Sequence, residues 1–223
     1  QGYHQAGEVV STSVWRGTGH NLAPLELVSQ PGPFCDNSLG HFYSAVTYYL
    51  GFGFYEQGKT MALAALGGDS AMRRRLAPYC TPYMTLLDTD PAFIRNVFYA
   101  AFGADFNWPE PPDHHKLMRR YAAQFGPRRA PRDPLTLRHF NLAWAAQDIL
   151  EEVLLTKCRQ LWETHRLPYL CLAGGVALNV SANTRIRRET PYTDVFIQPA
   201  ASDDGQALGK LLYRLHAQFG SPR

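Results

Sequence analysis

One stretch, from Thr136 to Phe219, constrains the fold more than any other. Leu137, Phe140, Trp144, Gln147, Leu150, Glu151, Leu154, Cys158 and Leu161 recur at helical spacing, and only Gln147 and Glu151 interrupt the stripe. The pattern predicts one helix reaching about His165, on the order of 40 Å long. Pro168 separates it from Tyr169–Ala173, a short apolar run that reads as a buried strand. Gly174-Gly175 follows at once. Val176–Arg188 then reads as a helix and Asp194–Gln198 as a second buried strand. Gly205–Phe219 reads as a terminal helix with Ser202 as a candidate N-cap. Helix, strand, glycine pair, helix, strand, helix is the order of an α/β domain.

The N-terminal part carries different signals. Residues 8–16 alternate, with Val9, Ser11, Ser13 and Trp15 on one face and Val10, Thr12, Val14 and Arg16 on the other. That predicts a strand, with Gly17–Asn21 as its turn and Leu25–Ser29 as a short second strand of a hairpin. Ser38 opens a helix through Phe42, Ala45, Val46 and Tyr49, and Gly51 stops it. Phe52–Thr60 reads as a glycine-punctuated loop holding Lys59. Met61–Leu66 reads as a short helix ending at Gly67-Gly68.

Residues 69–135 are rich in proline and read as an insertion or cover. They hold short runs at Pro82–Leu87 and Phe93–Phe102 and a short helix at Lys116–Phe125. The organisation expected is therefore 1–68, 69–135 and 136–223.

Composition excludes several classes. With 45% hydrophobic and 18% charged residues, the 223-residue chain is neither disordered, collagen-like nor a coiled coil. A net charge of +3 is a mild bias. The clusters Arg73–Arg75, Arg119–Arg120 and Arg128–Arg129 lack interleaved aromatics, so they read as solvated faces and no nucleic-acid partner is expected. Cys35, Cys80, Cys158 and Cys171 form no CxxC pair and read as reduced, mostly buried thiols. Apolar runs such as Tyr43–Tyr55 are too broken for a membrane span, and no signal peptide opens the chain. A cytoplasmic location with no membrane partner is the expectation. The chain opens on Gln1 rather than Met, so a natural start upstream is also expected.

Chemistry has three candidate positions. In Leu172-Ala173-Gly174-Gly175-Val176-Ala177-Leu178-Asn179, glycines let a ligand approach the backbone and a helix start offers free N–H groups. Asn179, one turn into that helix, can reach a ribose or base edge; a tight strand–helix turn with a helix-facing Asn reads equally well. The pattern is not GxGxxG, which argues against a dinucleotide site. In Gln198-Pro199-Ala200-Ala201-Ser202-Asp203-Asp204-Gly205, two carboxylates stand at the mouth of the next helix. If the two strands are parallel, both turns share one sheet edge, where ligands collect. Asp203 can bind a metal, act as a base or simply favour the helix N-terminus. Lys59 can meet a phosphate as a point charge or stand in solvent. His114-His115 is not spaced to hold a metal and reads as a solvent-facing pair; His41 and His139 read as structural.

Three segments together resemble a known family. Ser38–Phe52 with Gly58-Lys59-Thr60-Met61-Ala62-Leu63-Ala64, Leu170–Asn183 and Phe196–Gly209 are similar to the SLGxxYSAxTxYLGF…GKxMGLA, LCLAGGVALNxxxN and xxQPAAxDxGxALG stretches of the O-carbamoyltransferases (NodU/CmcH type), enzymes of nodulation-factor and antibiotic biosynthesis. Asn141–Leu154 resembles the helix before their glycine motif. The likeness runs in order from about residue 8 to 215.

The resemblance implies an actin-like ATPase/sugar-kinase (ribonuclease-H-like) lobe, here incomplete, with an irregular helical insertion. It implies ATP and carbamoyl phosphate as substrates, a carbamoyl-adenylate intermediate, and transfer to a hydroxyl of a natural-product or sugar acceptor. Gly174, Gly175 and Asn179 fall in the implied nucleotide-binding motif, to which Lys59 is added. Asp203 matches a metal-ligand aspartate, for iron; Asp204 replaces a usually small residue. The other implied ligands are histidines of an upstream HxxxH helix, and His114 and His115 are not their counterparts. An N-terminal lobe and a C-terminal adenylate-forming domain are implied outside this chain. Residues 1–223 alone are therefore expected to be inactive. Two alternatives stand beside this reading: a non-catalytic remnant or partner subunit, and a phosphotransferase of the sugar-kinase kind.

Overall fold

The computed structural model describes residues 8–31, 37–82 and 87–220. It is mixed α/β and mostly helical. The chain divides into two compact units, one of residues 1–35 with 161–223 and one of residues 36–160.

The first unit begins with the expected hairpin, strands β1 (Glu8–Thr18) and β2 (Asn21–Pro31). The second strand is longer than Leu25–Ser29 because Gly19, at φ +58°, turns the chain within two residues. Irregularities between Val10 and Thr12 and between Val14 and Trp15 break the strict alternation read from residues 8–16.

The second unit is built around α1 (Leu39–Tyr49). Ser38 Oγ caps it by accepting the His41 N–H at 3.3 Å. Gly51, at φ +77°, ends it: the Gly51 N–H donates to Tyr48 and the Phe52 N–H to Thr47. All of α1 except Gly40 and His41 is buried, which makes it the central helix of the unit. Next comes α2 (Gln57–Ala64), which starts four residues before the expected Met61 and carries Lys59 on its first turn rather than in a loop.

Helix α3 (Ser70–Leu76) follows, then strands β3 (Cys80–Pro82) and β4 (Leu87–Thr89), α4 (Pro91–Phe106), α5 (His114–Phe125) and α6 (Leu137–His165). Residues 69–135 are thus more regular than their prolines suggest. Pro91 shows why: it sits at the start of α4, where a missing N–H is harmless. Asp90 caps that helix through the Ala92 and Phe93 amides. Phe93, Ile94 and Val97 of α4 and Tyr121 and Phe125 of α5 are buried. Phe93 packs against Phe42 of α1 with ring centroids 6.4 Å apart, so this region supplies core to the unit. The compact unit of residues 36–160 takes in the whole of this region.

Several polar groups buried here are paired, whereas the buried Tyr121 hydroxyl has no hydrogen-bond partner. The Tyr43 hydroxyl donates to Gln147 Oε1 at 2.7 Å, and the Gln147 amide donates to Glu151 at 2.7 Å. These are the two residues that interrupted the apolar stripe of α6. Burial, reinforced by the Glu151 charge, raises the Tyr43 pKa. The arginine clusters are not all solvated faces. Arg73 reaches Asp148 and Glu152 of α6. Arg129 is buried, and its guanidinium donates to the carbonyls of Leu50, Gly51, Pro131 and Asp133.

His114 is likewise buried, with Nδ1 2.8 Å from Asn96 Oδ1, while His115 is exposed. His139 Nδ1 accepts the Thr136 N–H at 2.9 Å, a structural role as expected. Cys80 and Cys158 are buried thiols and Cys171 is an exposed one; Cys35 lies outside the described residues.

The chain then returns to the first unit with β5 (Tyr169–Leu172), α7 (Val180–Glu189), β6 (Asp194–Ile197) and α8 (Gln206–Tyr213). β5 and β6 pair in parallel, with α7 as the crossover such a pair requires. Contrary to expectation they are not buried strands: Tyr169 is 69% exposed and Phe196 61%. Among the described residues, no helix is long and apolar enough to cross a membrane.

Candidate functional site

Both glycine-bearing motifs start where a parallel strand ends. After β5 the chain turns at Gly174, whose φ of +98° is a conformation open to glycine and strained for other residues. The Gly174 N–H donates to the Ala201 carbonyl at 2.7 Å. That bond ties the turn after β5 to the turn after β6. The two motifs singled out in the sequence are therefore brought together, as parallel strands demand.

The turn after β5 is not one helix. Gly175–Leu178 is a short 3₁₀ segment and α7 begins at Val180. Asn179 stands at the break, not one turn into a helix. Its Oδ1 accepts the Ala182 N–H at 3.0 Å and caps α7. Asn179 is buried, so the structure assigns its carbonyl oxygen to capping. Asn183 reinforces the same turn by donating to the Ala177 carbonyl at 2.7 Å.

The glycines differ in what they are for. A methyl on Gly174 would meet nothing within 4 Å, and one on Gly175 would only reach 3.6 Å from Ser202 Oγ. Packing does not demand a bare backbone at Gly175, and the space beside it is open. At Gly205 a methyl would lie 2.1 Å from the Ala200 carbonyl oxygen, so that glycine is required by the fold.

Asp203 and Asp204 lie on a 3₁₀ turn, Asp203–Gly205, directly before α8. Ser202 precedes that turn and makes no side-chain cap, unlike the cap expected of it. Asp203 is exposed, and its Oδ1 accepts the Gln206 amide at 3.0 Å. Among the described residues no group of three His, Cys, Asp or Glu side chains is gathered to hold a metal. The donor set on these residues thus does not make an iron site by itself.

Lys59 lies in the other unit. Its ammonium pairs with Glu56 and stands 5.6 Å from the Phe52 ring centroid. That pairing, with the Gly53 N–H, holds the Glu56 carboxyl below its usual range.

Gln198 opens the QPAA motif. Its Oε1 is buried beside the second turn without a hydrogen-bond partner. A polar residue immediately after an apolar strand was the available signal.

Comparison with known proteins places the chain in a family. The model of the carbamoyltransferase N-terminus family matches residues 3–212. The chain is 35% identical to an uncharacterised protein of Synechocystis sp., over 97% of this chain and 33% of that protein. It is 30% identical to the nodulation protein NolO of Bradyrhizobium diazoefficiens, over 97% of this chain and 34% of that protein. It is 30% identical to nodulation protein U of Sinorhizobium fredii, over 81% of this chain and 32% of that protein. The chain spans about a third of the length of these relatives. With the glycine turn after β5 and the aspartate turn after β6 both inside the matched residues, the chain belongs to the carbamoyltransferase N-terminus family.

Proposed function

We propose that residues 1–223 form the nucleotide-holding part of an O-carbamoyltransferase. The enzyme moves a carbamoyl group from carbamoyl phosphate, through a carbamoyl-adenylate made with ATP, to a hydroxyl of a natural-product or sugar acceptor. The reading is carried by one observation: the two family motifs meet through the Gly174 N–H to Ala201 carbonyl bond at the ends of parallel strands. Strand ends of this kind are where α/β folds bind ligands, and the β5–α7–β6 unit suits an actin-like ATPase/sugar-kinase lobe.

In this reading the open backbone at Gly174-Gly175 lets the phosphate of the adenylate approach closely. Asn179 holds the shape of that turn through its cap on α7. Transfer forms a bond between the acceptor oxygen and the carbamoyl carbon. It breaks the bond from that carbon to the bridging oxygen of AMP, and AMP leaves. The hydroxyl proton is lost in the same step. In this reading Asp203, exposed on the turn after β6, takes it.

The test is amide NMR of the chain titrated with ATP. Shifts confined to Gly174, Gly175 and the residues around Ser202 and Asp203 are expected, with weak affinity. No shifts, or shifts only elsewhere, would defeat the reading. Incubated with ATP, carbamoyl phosphate and a hydroxyl acceptor, the chain alone is expected to give no carbamate product by mass spectrometry.

A further inference from the structure

Arginines of the second unit are neutralised unequally. Arg73, half-buried, reaches two carboxylates, Asp148 and Glu152. Arg128, Arg129 and Arg138 reach none. Among the described residues, no carboxylate oxygen lies within 4.0 Å of any of the three. Yet Arg129 is only 5% exposed, and Arg128 and Arg138 are half-buried. Charges at such depth are ordinarily paired.

What these side chains meet is backbone. Arg128 Nε donates to the Tyr48 carbonyl at 3.1 Å, and Arg129 donates to those of Leu50 and Gly51, at the end of α1. Arg138 donates to the Phe125 and Pro127 carbonyls at 2.8 and 2.9 Å, at the end of α5. The segment that the three guanidiniums surround is itself fixed. The Tyr49 hydroxyl donates to the Gly126 carbonyl at 2.6 Å, and the Arg129 N–H donates to the Tyr49 carbonyl at 3.0 Å. Burial raises the Tyr49 pKa, with Arg138 and Arg128 both opposing, so both charges act on that one hydroxyl.

The charges do not balance. A helix C-terminus offers about half a negative charge, so the ends of α1 and α5 together offset about one of three full positive charges. Asp133 does not make up the difference. Its carboxylate accepts the Ala130 N–H at 3.1 Å, and Arg129 meets only its backbone carbonyl. Donors are also left over. Arg128 bonds through Nε alone, which leaves both terminal nitrogens unspent. Arg138 Nη2 meets only His139 Nε2, at 2.7 Å.

We propose that Arg128 and Arg138, backed by the charge of Arg129, form a binding site for a phosphate dianion. A dianion covers the roughly two charges that the helix ends leave, and a single carboxylate does not. The forked guanidinium also matches phosphate oxygens in pairs. The phosphate is either free or carried by a small molecule such as carbamoyl phosphate. The site lies wholly within residues 36–160 and stands without the carbamoyl-transfer reading.

NMR of the chain at about pH 8, where phosphate is a dianion, tests it. Inorganic phosphate is expected to shift the Arg128 and Arg138 side-chain N–H signals and the amides of residues 126–130. Sodium chloride of equal ionic strength is not. Arg128→Gln should bind at least ~10-fold more weakly, as loss of a charge-assisted hydrogen bond demands. Arg128→Lys, which keeps the charge but not the fork, should also bind more weakly, and serves if the glutamine variant loses its α1 signals. Carbamoyl phosphate acting at a lower concentration than phosphate makes it the source; otherwise the source is free phosphate, and the site stands either way. No shift with phosphate, unchanged binding in both variants, or equal shifts with acetate overturns the proposal. Loss of the ATP response at Gly174 and Gly175, with the phosphate response intact, defeats the functional reading and leaves this one standing.

Discussion

Gly175 and Gly205 lie in turns that follow parallel strands, yet the structure demands glycine at only one of them. At Gly205 the Cβ of alanine would stand 2.1 Å from the Ala200 carbonyl oxygen and 3.3 Å from its carbon. Both are backbone atoms, so no side chain can swing aside. Overpacking of this sort costs about 1–3 kcal/mol, and a backbone clash belongs near the upper value. For a chain of this size each kcal/mol moves the melting temperature by about 2–4 °C, so Gly205→Ala should melt about 6–12 °C lower. At Gly175 the same methyl reaches only Ser202 Oγ at 3.6 Å, an ordinary contact. Restricting the unfolded chain then offsets much of any cost, and Gly175→Ala should stay within about 1 kcal/mol of the parent. Thermal melts followed by circular dichroism compare the two variants directly. If Gly175→Ala melted as low as Gly205→Ala, the open backbone at Gly175 would have a packing role, and its assignment to ligand approach would fail.

Two further outcomes follow from the second unit. Arg129→Met removes a guanidinium that four carbonyls share, and hydrogen bonds to a charged group contribute about 1.5–3 kcal/mol each, without adding fully. A loss of about 3–5 kcal/mol in urea unfolding is expected; a loss below about 1 kcal/mol would mean that water replaces the side chain at those carbonyls. Stability should also fall on acidification. Burial lowers the pKa of His114, Glu110 opposing and His115 adding; burial also lowers that of His139, with Arg138 and Arg129 adding and Asp133 opposing. Both are held neutral in the fold, so the unfolded chain binds more protons below the ordinary histidine value of 6.5. Their contribution is complete above that value and is lost as the pH drops through the folded values. Urea midpoints between pH 7.5 and 5.5 that do not decline, or an unchanged slope in the His114→Gln, His139→Gln double variant, would refute this.

What the sequence made legible follows from where its signals come from. Hydrophobic spacing is local, so α6 was readable to its last residue, and the Ser38 cap and Gly51 stop of α1 could be named in advance. The same spacing did not show that Pro91 starts a helix, since proline marks a break and a helix's first turn alike. Nor did local charge show that Arg129 is buried, because its partners are carbonyls, which no residue type announces. The site divides in the same way. Gly174 and Asp203 were legible as turn residues, whereas the parallel pairing that joins their turns stood only as a condition in the sequence and is met in the fold. Asn179 was misplaced by one structural step. A continuous helix would have left its amide aimed at the mouth, whereas the break after Leu178 makes it a cap. In the function proposed above, that correction moves the burden of ligand contact from a side chain to the backbone at Gly174-Gly175. On the proposed reading it also accounts for how little composition and charge say of function: a site made of peptide groups would be written in the conformations that glycine permits, and those appear only once the turn is built.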